Sequence, residues 1–214
     1  MIADAPLRVR LAQAGEDEDW RQLLASYERV VRPQDTVLEI GASVPERTRR
    51  LALRCREVIA VELFPDRVPP ASEGVRYVVG DWQRLTEAVR PGSIDVAVSS
   101  HVIEHVPDDV LALDQLYAVL RPGGVALITT PNRKRLVRSV IERFTGERTF
   151  PWWEHVREYV EADLTSLAAR SRFGTAKVRA VAFGLHGGPL HCYLTKVPAP
   201  LRRYANFWEI ELRK

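Results

Sequence analysis

Cysteine is nearly absent from this chain. Cys55 and Cys192 are the two in 214 residues, far apart and in no Cys-x-x-Cys pair, which excludes a disulfide framework and a zinc finger. No apolar run approaches the roughly 20 residues a membrane-spanning helix needs, so no membrane partner is expected. Residues 1–13 lack the basic-then-apolar pattern of a secretory signal, and a cytoplasmic location is the expectation. Lysine is scarce: four of the 31 basic residues, the rest being arginine. The net charge of +3 is too small to imply a nucleic-acid partner by itself. There is no internal repeat, low-complexity tract or composition break. One domain over residues 1–214 is expected, with a small basic, Trp-rich insertion at about 131–160.

What is present is an alternation of short apolar runs with helical periods. The chain centres on residues 36–48. The run Val37, Leu38, Ile40 is short enough for a buried strand, and Gly41 breaks it. A glycine there allows a sharp turn and lets a ligand come close to the backbone. Ser43 and Glu46 have capping-box spacing, and Pro45 suits the first turn of a helix. The stretch reads strand, tight turn, helix, with the carboxylate Glu39 at the base of the turn. Before it, Trp20, Leu23, Leu24, Tyr27, Val30 and Val31 have helical spacing. After it come strands at about 57–62, 75–79, 92–100 and 125–130. Helices are read at 44–55, from 101 to 120, at 131–147 and at 161–170. Two late apolar runs, 176–183 and 190–197, read as an antiparallel pair. Such an order predicts an α/β fold with a mostly parallel sheet and helices on both faces.

Glu39-Ile40-Gly41 resembles the first motif of class I S-adenosylmethionine (SAM) methyltransferases, E/D-x-G-x-G-x-G. Ser43 and Pro45 replace the later glycines. Asp95-Val96-Ala97-Val98-Ser99-Ser100, then Glu104-His105-Val106-Pro107-Asp108, then Leu120-Arg121-Pro122-Gly123-Gly124, is highly similar to the same family and is the most specific match. The resemblance implies a Rossmann-like, seven-stranded sheet closed by the late antiparallel pair. It also implies SAM as cofactor. Glu39, Gly41, Ala42 and Ser43 would form the cofactor turn, with Ser99 near the end of the fourth strand. Glu62, ending the second strand, would bind the ribose hydroxyls. Asp81 would bind the adenine amino group, with Trp82 against the purine.

His101, Glu104 and His105 have H-x-x-E-H spacing. On a helix the three would share one face, two imidazoles and a carboxylate, a candidate three-ligand metal site. The motif is similar to the E-x-x-E-H of two metal-dependent O-methyltransferase families, those of ubiquinone biosynthesis and those acting on the terminal 2′-hydroxyl of small RNAs. The latter complete a Mg²⁺ site with a later His, and His155 is the matching candidate. His101 stands where those families have Glu. That lowers the site's negative charge and favours Mn²⁺, Zn²⁺ or Ni²⁺ over Mg²⁺. Without a metal, His101 is a candidate general base.

These residues predict an O-methyltransferase acting on a small molecule or glycan, assisted by a divalent metal (Mg²⁺ or Mn²⁺), with His101, Glu104 and His105 in the catalytic role. Trp152 and Trp153 would stack on a sugar acceptor. Alternatives are a quinol or catechol, an RNA 3′ end, a nitrogen, or an inactive scaffold. A nucleic-acid acceptor is less favoured, because the arginines at 133, 135, 138 and 143 also suit a solvated helix face.

Overall fold

The computed structural model describes residues 21–42, 44–70, 72–145, 155–185 and 192–214. β1 (Thr36–Ile40) is buried along its whole length and lies between β2 (Glu57–Glu62) and β4 (Ile94–Ser100), parallel to both. β3 (Val75–Val79) continues the parallel set beyond β2, and β5 (Leu120–Pro131) lies beside β4. The sheet has seven strands in the order β3-β2-β1-β4-β5-β9-β6. β9 (Phe207–Arg213) runs antiparallel to both β5 and β6 (Lys177–Val181).

Both faces are covered, which is why the parallel strands read as continuous apolar runs. Alternate side chains serve alternate layers. Leu38, Ile40, Ile59 and Val61 meet α3 (Leu85–Ala88), α4 (Asp109–Val119) and α6 (Glu161–Arg170) through Leu85, Leu113, Leu116, Leu164 and Leu167. Val37, Val58, Ala60, Val96 and Val98 face the other way. They pack on Leu23 and Tyr27 of the helix at 21–28 (α1) and on Leu51 of α2 (Pro45–Ala52). The remaining helix is α5 (Leu136–Thr145). Among the described residues no helix is long and apolar enough to cross a membrane.

Three expectations about elements change. The second late run does not enter the sheet. Cys192–Leu194 (β8) instead pairs with Phe183–Leu185 (β7) in a separate two-stranded ribbon, and the strand that joins β5 to β6 is β9. Its alternation of Trp208, Ile210 and Leu212 with Glu209 and Glu211 hides it as an apolar run. The structure explains the buried Glu209: Arg29 lies 2.6 Å from one of its oxygens and Arg179 2.7 Å from the other. Secondly, α2 starts at Pro45 with Val44 as N-cap and no side-chain cap bond. Proline takes the first helical position, so Glu46 is one place too early for a capping box. Thirdly, the residues after β4 are not one helix. Ile103–His105 forms a single 3₁₀ turn, and α4 begins only at Asp109, where the Asp108 carboxylate accepts from the Leu111 N–H at 2.9 Å. Pro107 disfavours helix at Val106, which is extended at φ −82° and ψ 124°.

Candidate active site

The carboxyl ends of β1, β2, β4 and β5 form one edge, where ligands of open parallel sheets bind. At the end of β1, Gly41 has φ +82°, and a Cβ there would lie 2.4 Å from Val102 Cγ2. Only glycine fits that turn. Leu23 and Tyr27 of α1, Glu39, Gly41, Arg47 and Ser100 line a cavity over it. Burial pushes the Glu39 carboxyl up to about 7, and its Oε2 has no hydrogen-bond partner among the described residues. Glu62 is buried at the end of β2, where Oε1 accepts from the Phe64 N–H at 3.3 Å. Next to it Leu63 and Phe64 are 52% and 45% exposed, apolar surface at the same edge. Asp81 caps the following turn, its Oδ1 accepting from the Gln83 N–H at 2.8 Å.

Other expected cofactor residues point elsewhere. Trp82 is only 4% exposed and belongs to the core, so it offers little face to a purine. The Ala42 methyl is buried in the core layer of Leu23 and Tyr27 and does not line the cavity. The buried Ser99 hydroxyl donates to the Ile40 carbonyl at 3.3 Å, tying β4 to β1, and the neighbouring Ser100 is the serine that reaches the cavity. Strand alternation puts consecutive serines on opposite sides. Ser43, Trp152 and Trp153 lie outside the described residues. Tyr27, Arg47 and Ser100 were not in the expected set. Tyr27 carries only the period of a core helix, and nothing in sequence brings α1 over the glycine turn.

Beside this cavity, past β4, the structure brings Glu104, His105 and His155 together, with one ligand atom from each lying within 4.8 Å of the other two. Two segments supply them. The His155 segment docks on the 3₁₀ turn: the Val156 and Arg157 N–H groups both donate to the Glu104 carbonyl, at 2.9 and 3.2 Å. The Arg157 guanidinium donates to the Val106 and Pro107 carbonyls, and Tyr159 Oη donates to Asp109 Oδ2 at 3.0 Å. The rings of His105 and His155 meet edge to face, centroids 4.7 Å apart.

His101 is outside that group of three. Its backbone takes φ 56°, unusual for a residue with a Cβ, and its N–H donates to the Thr129 carbonyl at 3.0 Å. The imidazole is 45% exposed, stands edge to face with Phe207, and places Nδ1 3.8 Å from Glu104 Oε1. The turn after β4, not a helical face, sets this arrangement.

Glu104 is fully buried. Oε2 accepts from Thr130 Oγ1 at 3.0 Å, and Oε1 has no hydrogen-bond partner among the described residues. Burial pushes the carboxyl up to about 8, so it holds its proton at neutral pH in the absence of a cation. Burial also lowers the pKa of His155, favouring the neutral ring that can act as a ligand. Three arginines of the basic stretch form ion pairs, while Arg143 is exposed. Arg133 and Arg138 pair with Glu142 at 2.7 and 2.8 Å, and Arg135 and Arg138 both reach Glu158 Oε2.

The Glu104 shift makes stability depend on pH. A carboxyl whose folded pKa stands near 8, against 4.5 for the ordinary group, contributes its full stability below about pH 4.5. That stability is lost as pH rises toward 8. Each pKa unit is about 1.4 kcal/mol, so the loss is a few kcal/mol. In metal-free buffer, Glu104→Gln is expected to gain Tm over the wild type progressively from pH 5 to pH 9. Parallel Tm–pH curves for the two proteins would contradict this.

Comparison with known proteins agrees with the fold. The model of the Methyltransf_23 family, a methyltransferase domain, matches residues 11–174. A probable S-adenosylmethionine-dependent methyltransferase of Mycolicibacterium smegmatis is 32% identical over 165 residues, which cover 72% of this chain and 61% of that protein. A ubiquinone biosynthesis O-methyltransferase of Xanthomonas campestris is 31% identical over 112 residues, 49% of this chain and 46% of that protein. The chain thus covers less than two thirds of the length of these relatives. Among solved structures, a SAM-dependent methyltransferase from Archaeoglobus fulgidus superposes with a TM-score of 0.64 at 15% identity, covering 89% of this chain and 91% of that one. A methyltransferase from Thermotoga maritima gives 0.62 at 19% identity, covering 95% and 97%. The family match takes in every strand from β1 to β5 and both segments that carry the histidine cluster, and the chain belongs to the class I SAM-dependent methyltransferases.

Proposed function

We propose that this chain transfers a methyl group from SAM to a hydroxyl of a sugar or oligosaccharide, assisted by a divalent cation held by Glu104, His105 and His155. The observation that carries the reading is the convergence of those three side chains beside the glycine turn, with the buried Glu104 Oε1 lacking a hydrogen-bond partner among the described residues. A buried polar atom without a partner costs roughly 1–3 kcal/mol. A cation beside it would remove that cost and hold the carboxylate ionised. Two imidazoles and one carboxylate suit Mn²⁺ or Zn²⁺ better than Mg²⁺.

The residues at the strand ends also fit SAM. Gly41 leaves a cradle that a Cβ would fill. Glu62, buried at the end of β2, would accept from ribose hydroxyls, and the exposed Leu63 and Phe64 would offer apolar surface to the base. SAM, when bound, supplies an electrophilic methyl on a sulfonium, and a divalent cation lowers the pKa of a nearby hydroxyl. The chain's part is to hold the acceptor oxygen in line and to take its proton. His101, half-exposed at the mouth of the cluster, is the group for that second task. Glu62→Ala should weaken S-adenosylhomocysteine (SAH) binding by about 1–3 kcal/mol, the worth of a charge-assisted hydrogen bond, in a calorimetric titration. Unchanged affinity would remove Glu62 from the cofactor site.

Trp152 and Trp153 precede His155 almost directly in the chain, and their indoles are suited to stacking on a sugar ring. A quinol acceptor is the second reading, favoured by the ubiquinone biosynthesis relative. Transfer of labelled methyl from SAM to panels of glycans, quinols and RNAs separates them. Sugar methylation is expected, with Trp152→Ala and Trp153→Ala raising the acceptor KM while SAH affinity holds. Activity confined to planar quinols would reject the sugar. No SAH binding at millimolar concentration would leave the scaffold reading.

A further inference from the structure

Glu158 is a buried carboxylate that no sequence motif singles out. Its two oxygens do different work. Oε2 receives Arg135 at 3.2 Å and also Arg138. Oε1 lies 2.9 Å from His155 Nδ1. Both Glu158 and Arg138 are largely withdrawn from solvent. Two guanidiniums on one oxygen fix this carboxylate in place, so its other oxygen serves His155 as an acceptor. An acceptor at Nδ1 selects the tautomer with the proton on Nδ1 and leaves Nε2 as the nitrogen with the lone pair. The same segment is anchored at Glu104 by the Val156 and Arg157 N–H groups. The ring's position is therefore set from both sides: its backbone by the 3₁₀ turn, its imidazole by Glu158.

We infer that Glu158 is a positioning residue that locks His155 as the Nδ1–H tautomer and turns Nε2 toward Glu104 and His105, with Arg135 and, from α5, Arg138 as the scaffold for that carboxylate. The role in metal binding rests on the cation reading above; the tautomer does not. A carboxylate behind a histidine ligand raises the ring's basicity and fixes its orientation, and losing such a partner lowers metal affinity about 10–100-fold. Arg135 and Arg138 are then explained as internal counter-charge to Glu158.

The test begins on the wild-type protein without added metal. Long-range proton–nitrogen NMR of the histidine rings, assigned with His155→Gln, should show Nδ1 protonated and Nε2 bare at His155. The opposite tautomer in the wild type overturns the inference, whatever the variants do. Glu158→Gln should then shift the His155 nitrogens toward a mixture or toward Nε2–H. Glu158→Asp keeps a charge for the arginines but shortens the reach to the ring, and should do the same with less loss of Tm. Calorimetric titration with Mn²⁺ should show about 10–100-fold weaker binding in either folded variant. SAH affinity should be within twofold of the wild type. Wild-type protein that binds no Mn²⁺ or Zn²⁺, yet shows the Nδ1–H tautomer, would reject the cation and keep the positioning role. Wild-type metal affinity in both variants, with an unmoved His155 spectrum, would reject the positioning role and keep the cation.

Discussion

Chelation with excess EDTA is expected to abolish methyl transfer, and one divalent ion, Mn²⁺ first among those to be tried, to restore it. A cation at a developing alkoxide supplies several kcal/mol of charge stabilisation, so its removal corresponds to a loss of about a hundredfold or more. The expectation follows from charge and burial. Glu104 is fully buried, one oxygen on Thr130 and the other with no hydrogen-bond partner among the described residues. Burial keeps it protonated until about pH 8. A divalent ion would displace that proton, so metal affinity should rise steeply between pH 6 and pH 8 and level above it. Glu104→Gln should copy the effect of EDTA, because an amide cannot supply the charge. SAH binding should survive both treatments, since Gly41, Glu39 and Glu62 belong to the neighbouring cavity and strand ends. Full activity in excess EDTA, with His101→Ala inactive, would reject the cation and leave His101 as a simple general base.

Much of the fold was legible because burial writes itself into parallel strands. β1 to β4 are apolar runs bounded by turn residues, and the structure places them within two residues of where the sequence does. The match to the methyltransferase motifs rested on the same strands and the turns after them. Failures came where a polar residue is inside for a reason that is distant in sequence. β9 looks half polar because Glu209 sits on a face closed by Arg29 and Arg179, from opposite ends of the chain. Glu158 looks like one of many surface charges, and only the folded chain brings Arg135, Arg138 and His155 around it. His101, Glu104 and His105 were recognised as a cluster from spacing. The geometry assumed was helical, whereas Pro107 and the Asp108 cap restrict that segment to one 3₁₀ turn. The turn leaves Glu104 and His105 pointing toward His155 and turns His101 outward, an outcome that helical periodicity cannot predict.

Gly41→Ala is expected to cost both stability and cofactor binding. Two independent strains add at this position. The backbone φ of +82° is disfavoured for any residue with a Cβ, at roughly 1–2 kcal/mol. The new Cβ would also lie 2.4 Å from Val102 Cγ2, an overlap that something must move to relieve. Overpacking of this kind costs typically about 1–3 kcal/mol. Val102 is joined on one side to His101, itself in a left-handed conformation, and on the other to the turn bearing Glu104. A push on Val102 therefore reaches the histidine cluster as well as the cofactor cradle. Urea unfolding should show the stability loss, and SAH titration at a denaturant-free temperature well below Tm should show weakened binding. The double variant Gly41→Ala/Val102→Ala separates the two strains. Trimming Val102 leaves its Cβ, at 3.7 Å, as the nearest side-chain atom of that residue, an ordinary contact. The packing part should then be recovered and the backbone part should remain, so the two substitutions should be non-additive by about 1–3 kcal/mol. Strict additivity, or wild-type stability and SAH affinity in the single variant, would show that the turn tolerates a side chain and that the cradle is not set by Gly41.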